Sequence, residues 1–420
     1  MKLMITTAAI ALAAISVPAA AQYGPQARPP ETAAPAQQAP AQANATAQKP
    51  VKVSGKAAKA IIDLQTAVNK GDYTNLAAKV AAAQAVASTP DDRYAIAELQ
   101  LKAAVAQKDD AAMATAVDAV ANSGFVDTAS VSKLYASLGT TFYNNKQFDQ
   151  AAAAFQKAVT VDPRNAQGYT LLGEAKFAQG QKAAAASEFQ RAVQIQTATG
   201  QKPDEALLKR AVSVAYEAQS PLAVELAREW AAAYPSADSW RNSIAIYRNL
   251  GHPDVEGTLD LLRLMQVTNS MNAADYALYA EAAADQGNFN EAQSVLDAGI
   301  AAHVVDPSSA QFRDLVSGLK GKPKATAADL EAAAKMSPSS TNLLRIGDRY
   351  YGMGNFAKAA DVYRQVLAKP DADKDVANLH LGMALARAGD RAGATAAFNA
   401  VGGGRAEVAK FWLAYVNQHA

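Results

Sequence analysis

Histidine is the side chain best suited to proton transfer and metal binding near neutral pH, and this 420-residue sequence contains four. They are His252, His303, His380 and His419, at least 39 residues apart, and no H-E-x-x-H pair is present. The periodicity of the sequence predicts a helical repeat array, in which each repeat contacts only its neighbours. We therefore expect the four imidazoles to lie apart and to share no metal. The absence of cysteine excludes thiolate zinc sites and cysteine nucleophiles.

Three short motifs imitate parts of known sites, and each lacks the rest of its pattern. Residues 130–133 match S-x-x-K without an S-D-N or K-T-G element, and Ser130 is better explained as a helix N-cap. Residues 371–375 resemble the start of a calcium loop whose sixth and twelfth residues are valine and glycine instead of glycine and glutamate. The Gly-Met-Gly at 352–354 falls between two helices rather than after a strand. We predict no catalytic residue, no metal site and no cofactor, and therefore no enzymatic activity.

Helices must position these side chains, because helical periodicity runs from about residue 54 to the end. Hydrophobic residues make up 50% and aromatic residues 7%, and abundant alanine favours close-packed helices over strands. The clearest stretch, 132–165, contains a helix, a turn at 144–147, a second helix and a terminating Pro163. Its first helix has apolar residues spaced i, i+3, i+4 and i+7, on one face. The two facing stripes are Tyr135, Leu138, Gly139 and Phe142, and Ala151, Phe155 and Ala158.

The same pattern returns 34 residues later and again further along the chain. In each copy a small residue lets the two helices of a pair approach closely, and a larger side chain fills the space beside it. The copies are Leu172, Gly173, Ala185 and Phe189; Tyr279, Ala280, Ala292 and Leu296; Ile346, Gly347, Ala359 and Tyr363; and Leu381, Gly382, Ala394 and Phe398.

This period and residue set resembles the tetratricopeptide repeat, a helical hairpin of 34 residues with a Leu-Gly, Ala, Phe and Pro signature. The resemblance covers about residues 132–401 and implies an all-α fold, an α-solenoid of about nine or ten hairpins. Residues 54–128 keep the hairpin rhythm without the signature, and residues 129–401 form the array, which is degenerate at 303–338. Residues 402–420 are predicted to form a capping helix. Its apolar face is Val408, Phe411, Trp412, Tyr415 and Val416.

The first 53 residues differ in composition from the rest of the chain. Residues 1–21 have a positive start at Lys2, a short apolar stretch, Pro18 and a small-residue site before Gln22, as in a secretory signal peptide. Residues 22–53, rich in alanine, glutamine and proline, are expected to be a disordered linker because they cannot bury enough apolar surface. We predict export across the inner membrane of a Gram-negative-type envelope, and a soluble periplasmic protein without a membrane span.

Charge argues against nucleic acid as a partner. The net charge of the whole sequence is +1, and removal of residues 1–21, whose single charge is Lys2, brings it to zero. Nucleic acids and anionic lipids attract proteins that have a basic excess. The predicted partner is instead another protein or peptide of the cell envelope, and the oligomeric state is left open.

The resemblance also implies where a partner binds. In tetratricopeptide proteins the concave groove is lined by first-helix residues one or two steps away from the packing stripe. Tyrosine and arginine are frequent in binding hot spots, so Tyr143, Arg241, Arg248 and Tyr351 are the foremost candidates. The other candidates are Lys133, Thr140, Thr170, Glu174, Phe177, Tyr216 and Asp348.

Three functions are consistent with the sequence. The first is a periplasmic scaffold or adaptor that holds an envelope partner in its groove. The second is a regulatory or accessory subunit of a cell-wall or polysaccharide enzyme or of an export machine. The third is a structural protein that associates with itself through its edge repeats. An enzyme would need acids or histidines clustered in an irregular insertion, and residues 303–338 contain no such cluster.

Overall fold

The computed structural model describes residues 50–418. Within that range the chain forms α-helices joined by short turns, with one 3₁₀ turn at Gly403–Arg405 and no β-strand. The predicted all-α class, a solenoid of helical hairpins with a capping helix, is confirmed. The expected signal peptide, 1–21, lies outside the described residues, and so does the expected linker, 22–53, apart from its last four residues. Of these four, Val51 and Val53 pack against the first helices.

The described residues form two compact units, divided between Gln179 and Gly180. The first unit contains α1 Gly55–Lys70, α2 Leu76–Val86, α3 Pro90–Gln107, α4 Asp110–Ala121, α5 Thr128–Asn144, α6 Phe148–Val161 and α7 Ala166–Ala178. Each of these helices packs against the next, and α1 also contacts α3, as α5 contacts α7. Such contacts between the first helices of successive hairpins are expected when hairpins stack.

The hairpin α5–α6 shows how the sequence sets these elements. Asp127 caps α5 by accepting the backbone N–H of Ser130, so Ser130 lies inside the helix and its predicted role as N-cap is wrong. The turn includes Lys146, whose φ of 61° reverses the chain direction. Phe155 is 1% exposed, and a Cβ added to Gly139 would stand 2.6 Å from its ring. The small residue at position 139 is therefore required by this contact.

The second unit is described over residues 180–418. It contains α8 Lys182–Ala198, α9 Glu205–Glu217, α10 Leu222–Ala233, α11 Ala237–Gly251, α12 Val255–Val267, α13 Ala273–Asp285, α14 Phe289–Ala301, α15 Ala310–Leu319, α16 Ala327–Met336, α17 Ser340–Gly352, α18 Phe356–Leu367, α19 Lys374–Ala388, α20 Arg391–Asn399 and α21 Ala406–Gln418.

Helix α12 lies in the interior of this unit. Residues 259–265 are all buried, and five of the seven are apolar, which is typical of a helix covered on every side. The helix contacts α11 and α13, its neighbours along the chain, and also α21, the last helix. Segments that are distant in sequence therefore meet around α12.

The last helix, α21, packs against α19 and α20, as a cap would, and also against α10 and α12. Its predicted apolar face is buried at Val408, Phe411, Trp412 and Val416 and half-buried at Tyr415. The Trp412 indole N–H donates to the backbone carbonyl of Asp260 over 3.2 Å. Arg405, just before the helix, pairs with Asp254 and Glu256. These polar contacts tie the end of the described chain to α12.

The degenerate segment 303–338 contributes two short helices that pack on different neighbours. Helix α15 contacts α13 and α14, whereas α16 contacts α17, and α14 packs directly against α17. The close approach of these two helices depends on Gly352, because a Cβ there would stand 2.5 Å from Cβ of Glu291. The irregular segment therefore leaves α14 and α17 as direct neighbours.

Candidate functional site

A group of ionisable side chains is buried around α12, and Arg263 lies at its centre. The Arg263 guanidinium donates to both oxygens of Glu291, over 2.7 and 2.8 Å, and to Oδ1 of Asp260 over 2.9 Å. The Tyr279 hydroxyl and the Asn288 amide donate to the same Glu291 carboxylate over 2.8 and 2.7 Å. Burial of charge is tolerated only when each charge is paired and hydrogen-bonded. This group meets that requirement.

His380 extends the buried group from α12 to α17. Its Nε2 lies 3.3 Å from Oδ1 of Asp260, and its Nδ1 lies 2.8 Å from Oδ1 of Asp348. The Tyr363 hydroxyl donates to the same Asp348 oxygen over 2.7 Å. The prediction that each repeat contacts only its neighbours is therefore wrong in this unit. The interior position of α12 brings Asp260 to a histidine 120 residues later in the chain.

Burial alone lowers the pKa of His380, but Asp348 and Asp260 raise that pKa to about 10. Burial raises the pKa of each aspartate, but the neighbouring His380 and Arg263 cations lower it, so that the pKa values of Asp260 and Asp348 lie below the ordinary range. The imidazole is therefore a buried cation at neutral pH. A general base must exchange its proton near the working pH, so His380 stabilises the fold instead of serving as a base.

The raised pKa of His380 predicts a loss of stability in alkaline solution. Below the unfolded-state pKa of about 6.5 both states bind the proton and the stabilisation is complete. Between pH values of about 6.5 and 10 only the folded state keeps the proton on His380. The free energy of unfolding should therefore fall by about 1.4 kcal/mol per pH unit in this range. Urea denaturation of the wild type and of His380→Gln at a series of pH values measures this slope.

The His380→Gln protein should lack that part of the slope, while groups common to both proteins contribute equally. Equal slopes in the two proteins would show that His380 is not a buried cation. The ring-proton resonances of the wild type give a second measurement that does not require the variant to fold: one imidazole should stay protonated up to about pH 9, since its pKa is about 10.

Five of the eleven predicted groove residues lie in the second unit, and three of these make polar contacts with residues near α11 and α13. The contacts join Tyr216 to Asn249 (3.2 Å), Arg241 to the carbonyl of Ser270 (2.9 Å) and Arg248 to Asp275 (3.7 Å). Arg241 thus joins α11 to the turn before α13, Arg248 joins α11 to the first turn of α13, and Tyr216 joins α9 to α11.

The other two, Asp348 and Tyr351, belong to the group of side chains around His380 and Arg263. Asp348 pairs with His380, and Tyr351 is 4% exposed, with its ring 5.2 Å from the Arg263 guanidinium carbon. The expectation that these two side chains line an open groove does not hold, because Tyr351 is buried and the Asp348 carboxylate is bonded to Tyr363 and paired with His380.

The other six predicted groove residues lie on α5 and α7 of the first unit. We call them the α5–α7 surface: Lys133, Thr140, Tyr143, Thr170, Glu174 and Phe177. Lys133 is exposed and the other five are half-buried. The hydroxyls of Thr140 and Thr170 donate to carbonyls four residues back in their own helices, over 2.9 and 3.1 Å. Two pairs of these residues occupy equivalent repeat positions, 34 residues apart: Thr140 with Glu174, and Tyr143 with Phe177. The helices that carry them, α5 and α7, contact each other.

A cavity of about 150 Å³ opens beside the buried charges of the second unit. Its wall includes Gln266, Glu291, Tyr351, Phe356 and Arg387. The Tyr351 hydroxyl has no hydrogen-bond partner of ordinary geometry among the described residues. Burial raises the pKa of Tyr351 to about 12, and the Arg387 guanidinium opposes that rise. The guanidinium carbon of Arg387 lies 4.3 Å from the ring centre of Phe356.

Sequence reasoning missed the buried charges, although part of their signal was present. Asp260 and Arg263 stand three residues apart inside an otherwise apolar run, 259–265, and a charge on a helix that is apolar all round must be paired internally. Of their partners, Glu291 lies on an amphipathic helix, whereas His380 stands in a second fully buried and otherwise largely apolar run, 379–385. The local sequence therefore carried a signal for His380 but none for Glu291.

In the part of the chain that the structure describes, no group of three or more His, Cys, Asp or Glu side chains is arranged to hold a metal ion. No helix between residues 50 and 418 combines the length and apolar character needed to cross a bilayer.

Comparison with known proteins gives one family. Residues 137–206 and 344–405 match the family model described as tetratricopeptide repeat. No curated protein matches the chain. Among solved structures, the chain matches the Naa15/Naa10 complex bound to HypK-THB with 12% identity and a TM-score of 0.32, over 84% of this chain and 63% of that one. It thus spans less than two thirds of that protein. It also matches a tetratricopeptide repeat protein from Parabacteroides merdae ATCC 43184, with 16% identity and a TM-score of 0.25, over 60% and 98% of the two chains.

Proposed function

We propose that this chain, in which residues 137–206 and 344–405 are tetratricopeptide repeats, is a non-enzymatic scaffold that binds another protein on the α5–α7 surface. Stacked helical repeats generally use extended surfaces of this kind to bind partners. One observation carries the proposal. The six candidate residues of the first unit lie on two helices in contact, and none of them is buried.

The chemistry of the α5–α7 surface favours an extended segment of a partner protein. Tyr143 and Phe177 offer two aromatic rings at equivalent positions, and Lys133 and Glu174 carry opposite charges. Neighbouring helices pack about 8–10 Å apart, which an extended chain crosses in about three residues. A peptide with apolar side chains spaced at that distance could contact both rings, while its charged groups meet Lys133 and Glu174.

The composition of the first 49 residues supports a location for this scaffold. Residues 1–21 have the charge, apolar stretch and small-residue site of a secretory signal peptide. The absence of cysteine means that no disulfide is required in an oxidising compartment. We propose that the chain is exported to the periplasm and that its partner is an envelope protein.

Site-specific photo-crosslinking in cells tests the surface. A photoreactive residue at Lys133 should trap a partner of defined mass, whereas one at Gln156, exposed on α6, should not. Thr140→Arg places a bulky charge on the surface without removing a core side chain, and we expect it to lower the crosslinking yield at least about tenfold, the loss of a single hot spot.

Thr160→Arg is the matched control, because Thr160 is an exposed threonine of α6 whose hydroxyl also donates to a carbonyl four residues back. Its yield should equal that of the wild type. The same adduct from Lys133 and Gln156, or an equal loss with the two arginine variants, would contradict binding at the α5–α7 surface.

A further inference from the structure

The wall of the cavity beside α12 includes a buried hydroxyl, that of Tyr351, without a hydrogen bond of ordinary geometry to the described residues. Tyr351 is 4% exposed, and its hydroxyl lies beside the Arg387 guanidinium without forming such a bond to it. A buried polar group left unsatisfied destabilises the fold, and such groups in native proteins generally bond to water, an ion or a ligand. Tyr351 lies on the wall of a cavity of about 150 Å³.

The charge that this cavity offers is positive. Glu291 is its acidic wall residue, and both oxygens of that carboxylate are already bonded to Arg263. Arg387, at the end of α19, lies against the ring of Phe356 and beside the Tyr351 hydroxyl. A guanidinium beside a phenol is a donor pair suited to a carboxylate.

The size and remaining wall of the cavity limit the ligand. Its volume is about 150 Å³, below the range of about 300–1,000 Å³ typical of drug-sized ligands and close to that of engineered cavities that hold benzene. Val295 and Phe356 supply apolar surface on the same wall. The occupant that fits is therefore small, partly apolar and negatively charged.

We propose that this cavity binds a small organic carboxylate of about the size of benzoate, held by the Tyr351 hydroxyl and the Arg387 guanidinium with its apolar part against Val295 and Phe356. The site lies in the second unit and is independent of the α5–α7 surface. A failure to detect protein binding at the α5–α7 surface would therefore not affect this proposal, and a failure to detect carboxylate binding in the cavity would not affect the proposed scaffold.

Titration calorimetry of the full chain with benzoate, its neutral isostere benzamide and inorganic phosphate tests the proposal. We expect saturable binding of one benzoate per chain and at least tenfold weaker binding of benzamide and of phosphate. Arg387→Gln should weaken benzoate binding at least tenfold, and Arg391→Gln, an exposed arginine at the start of α20, should leave it unchanged.

Tyr351→Phe keeps the ring and removes the hydroxyl, so it provides a second measurement that does not depend on the charge. It should weaken benzoate binding about fivefold, the loss of one hydrogen bond of about 1 kcal/mol, without lowering the melting temperature of the ligand-free protein. Equal affinity for benzoate and benzamide, or wild-type affinity in both the Arg387 and Tyr351 variants, would overturn the proposal. Tighter binding of phosphate than of benzoate would replace the organic carboxylate with an inorganic anion and overturn it as stated.

Discussion

Replacement of the buried Arg263 with leucine is expected to lower the free energy of unfolding by about 3–5 kcal/mol, because it leaves the Glu291 carboxylate in the interior without a counter-ion. Asp260 loses one of its two cationic partners and keeps His380. The side chains of Arg263 and Glu291 are each 3% exposed, so water cannot replace the lost contacts. Urea denaturation of the wild type and the variant measures the difference.

The chain contains a matched control for this substitution. Arg364 pairs with Asp361 at the same spacing of three residues and the same distance of 2.9 Å as Arg263 with Asp260, but with side chains 52% and 61% exposed. Arg364→Leu should therefore cost at most about 1 kcal/mol. Equal losses from Arg263→Leu and Arg364→Leu would show that burial of the pair does not determine its contribution.

A double variant separates the charge from the packing. In Arg263→Met with Glu291→Leu the uncompensated carboxylate is gone, and Asp260 keeps its contact with His380. Buried ion pairs replaced by apolar groups of similar volume often retain or gain stability, so the double variant should be more stable than Arg263→Leu. A double variant as unstable as the single one would mean that the shape of the guanidinium, rather than its charge, holds α12 in place.

The fold class followed from the sequence because its determinants are local. The spacing of Gly139 and Phe155 within one hairpin predicts a close contact, and the structure has that contact. The apolar stripe of the last helix likewise predicts a buried face at Phe411 and Trp412, and both side chains are fully buried. Each inference needs only the helical period and the approach of neighbouring helices.

The interior helix could not be predicted by the same reasoning. A repeat array was expected to bring only neighbouring repeats together, and the contacts of Asp260 with His380 and of α12 with α21 join segments more than a hundred residues apart. The apolar run around Asp260 and Arg263 indicated burial but not which elements would cover it. That reasoning places Asp348 and Tyr351 in an open groove, whereas in the structure they belong to the group of side chains around Arg263 and His380.

The start of α5 is a second feature that the sequence pattern did not locate correctly. Ser130 and Asp127 are both good N-cap residues, and the apolar pattern alone places a helix start only within a turn. The Asp127 carboxylate accepts the backbone N–H of Ser130, which puts the cap three residues before the serine. The choice depended on a backbone contact that the periodicity does not contain.

The contact between Gly139 and Phe155 gives the second large expected effect, this time in the first unit. Phe155→Ala removes a ring that is 1% exposed and should lower the free energy of unfolding by about 3–5 kcal/mol, through lost burial and the cavity left behind. Gly139→Ala should cost about 1–3 kcal/mol, because its Cβ would stand 2.6 Å from the Phe155 ring. Denaturation of the two single variants in urea measures each loss.

The double variant decides whether these two losses share one cause. Without the ring, the new methyl group at position 139 has room, so the combined loss should fall short of the sum of the single losses by about 0.5–3 kcal/mol. Gly318→Ala is the control, since Gly318 lies within α15 and a Cβ there meets nothing within 4 Å. It should be neutral or raise stability by up to about 1 kcal/mol. Strictly additive losses at Gly139 and Phe155 would mean that the ring does not rest on the glycine, and the spacing of small and large residues would then no longer explain how the helices of each hairpin pack.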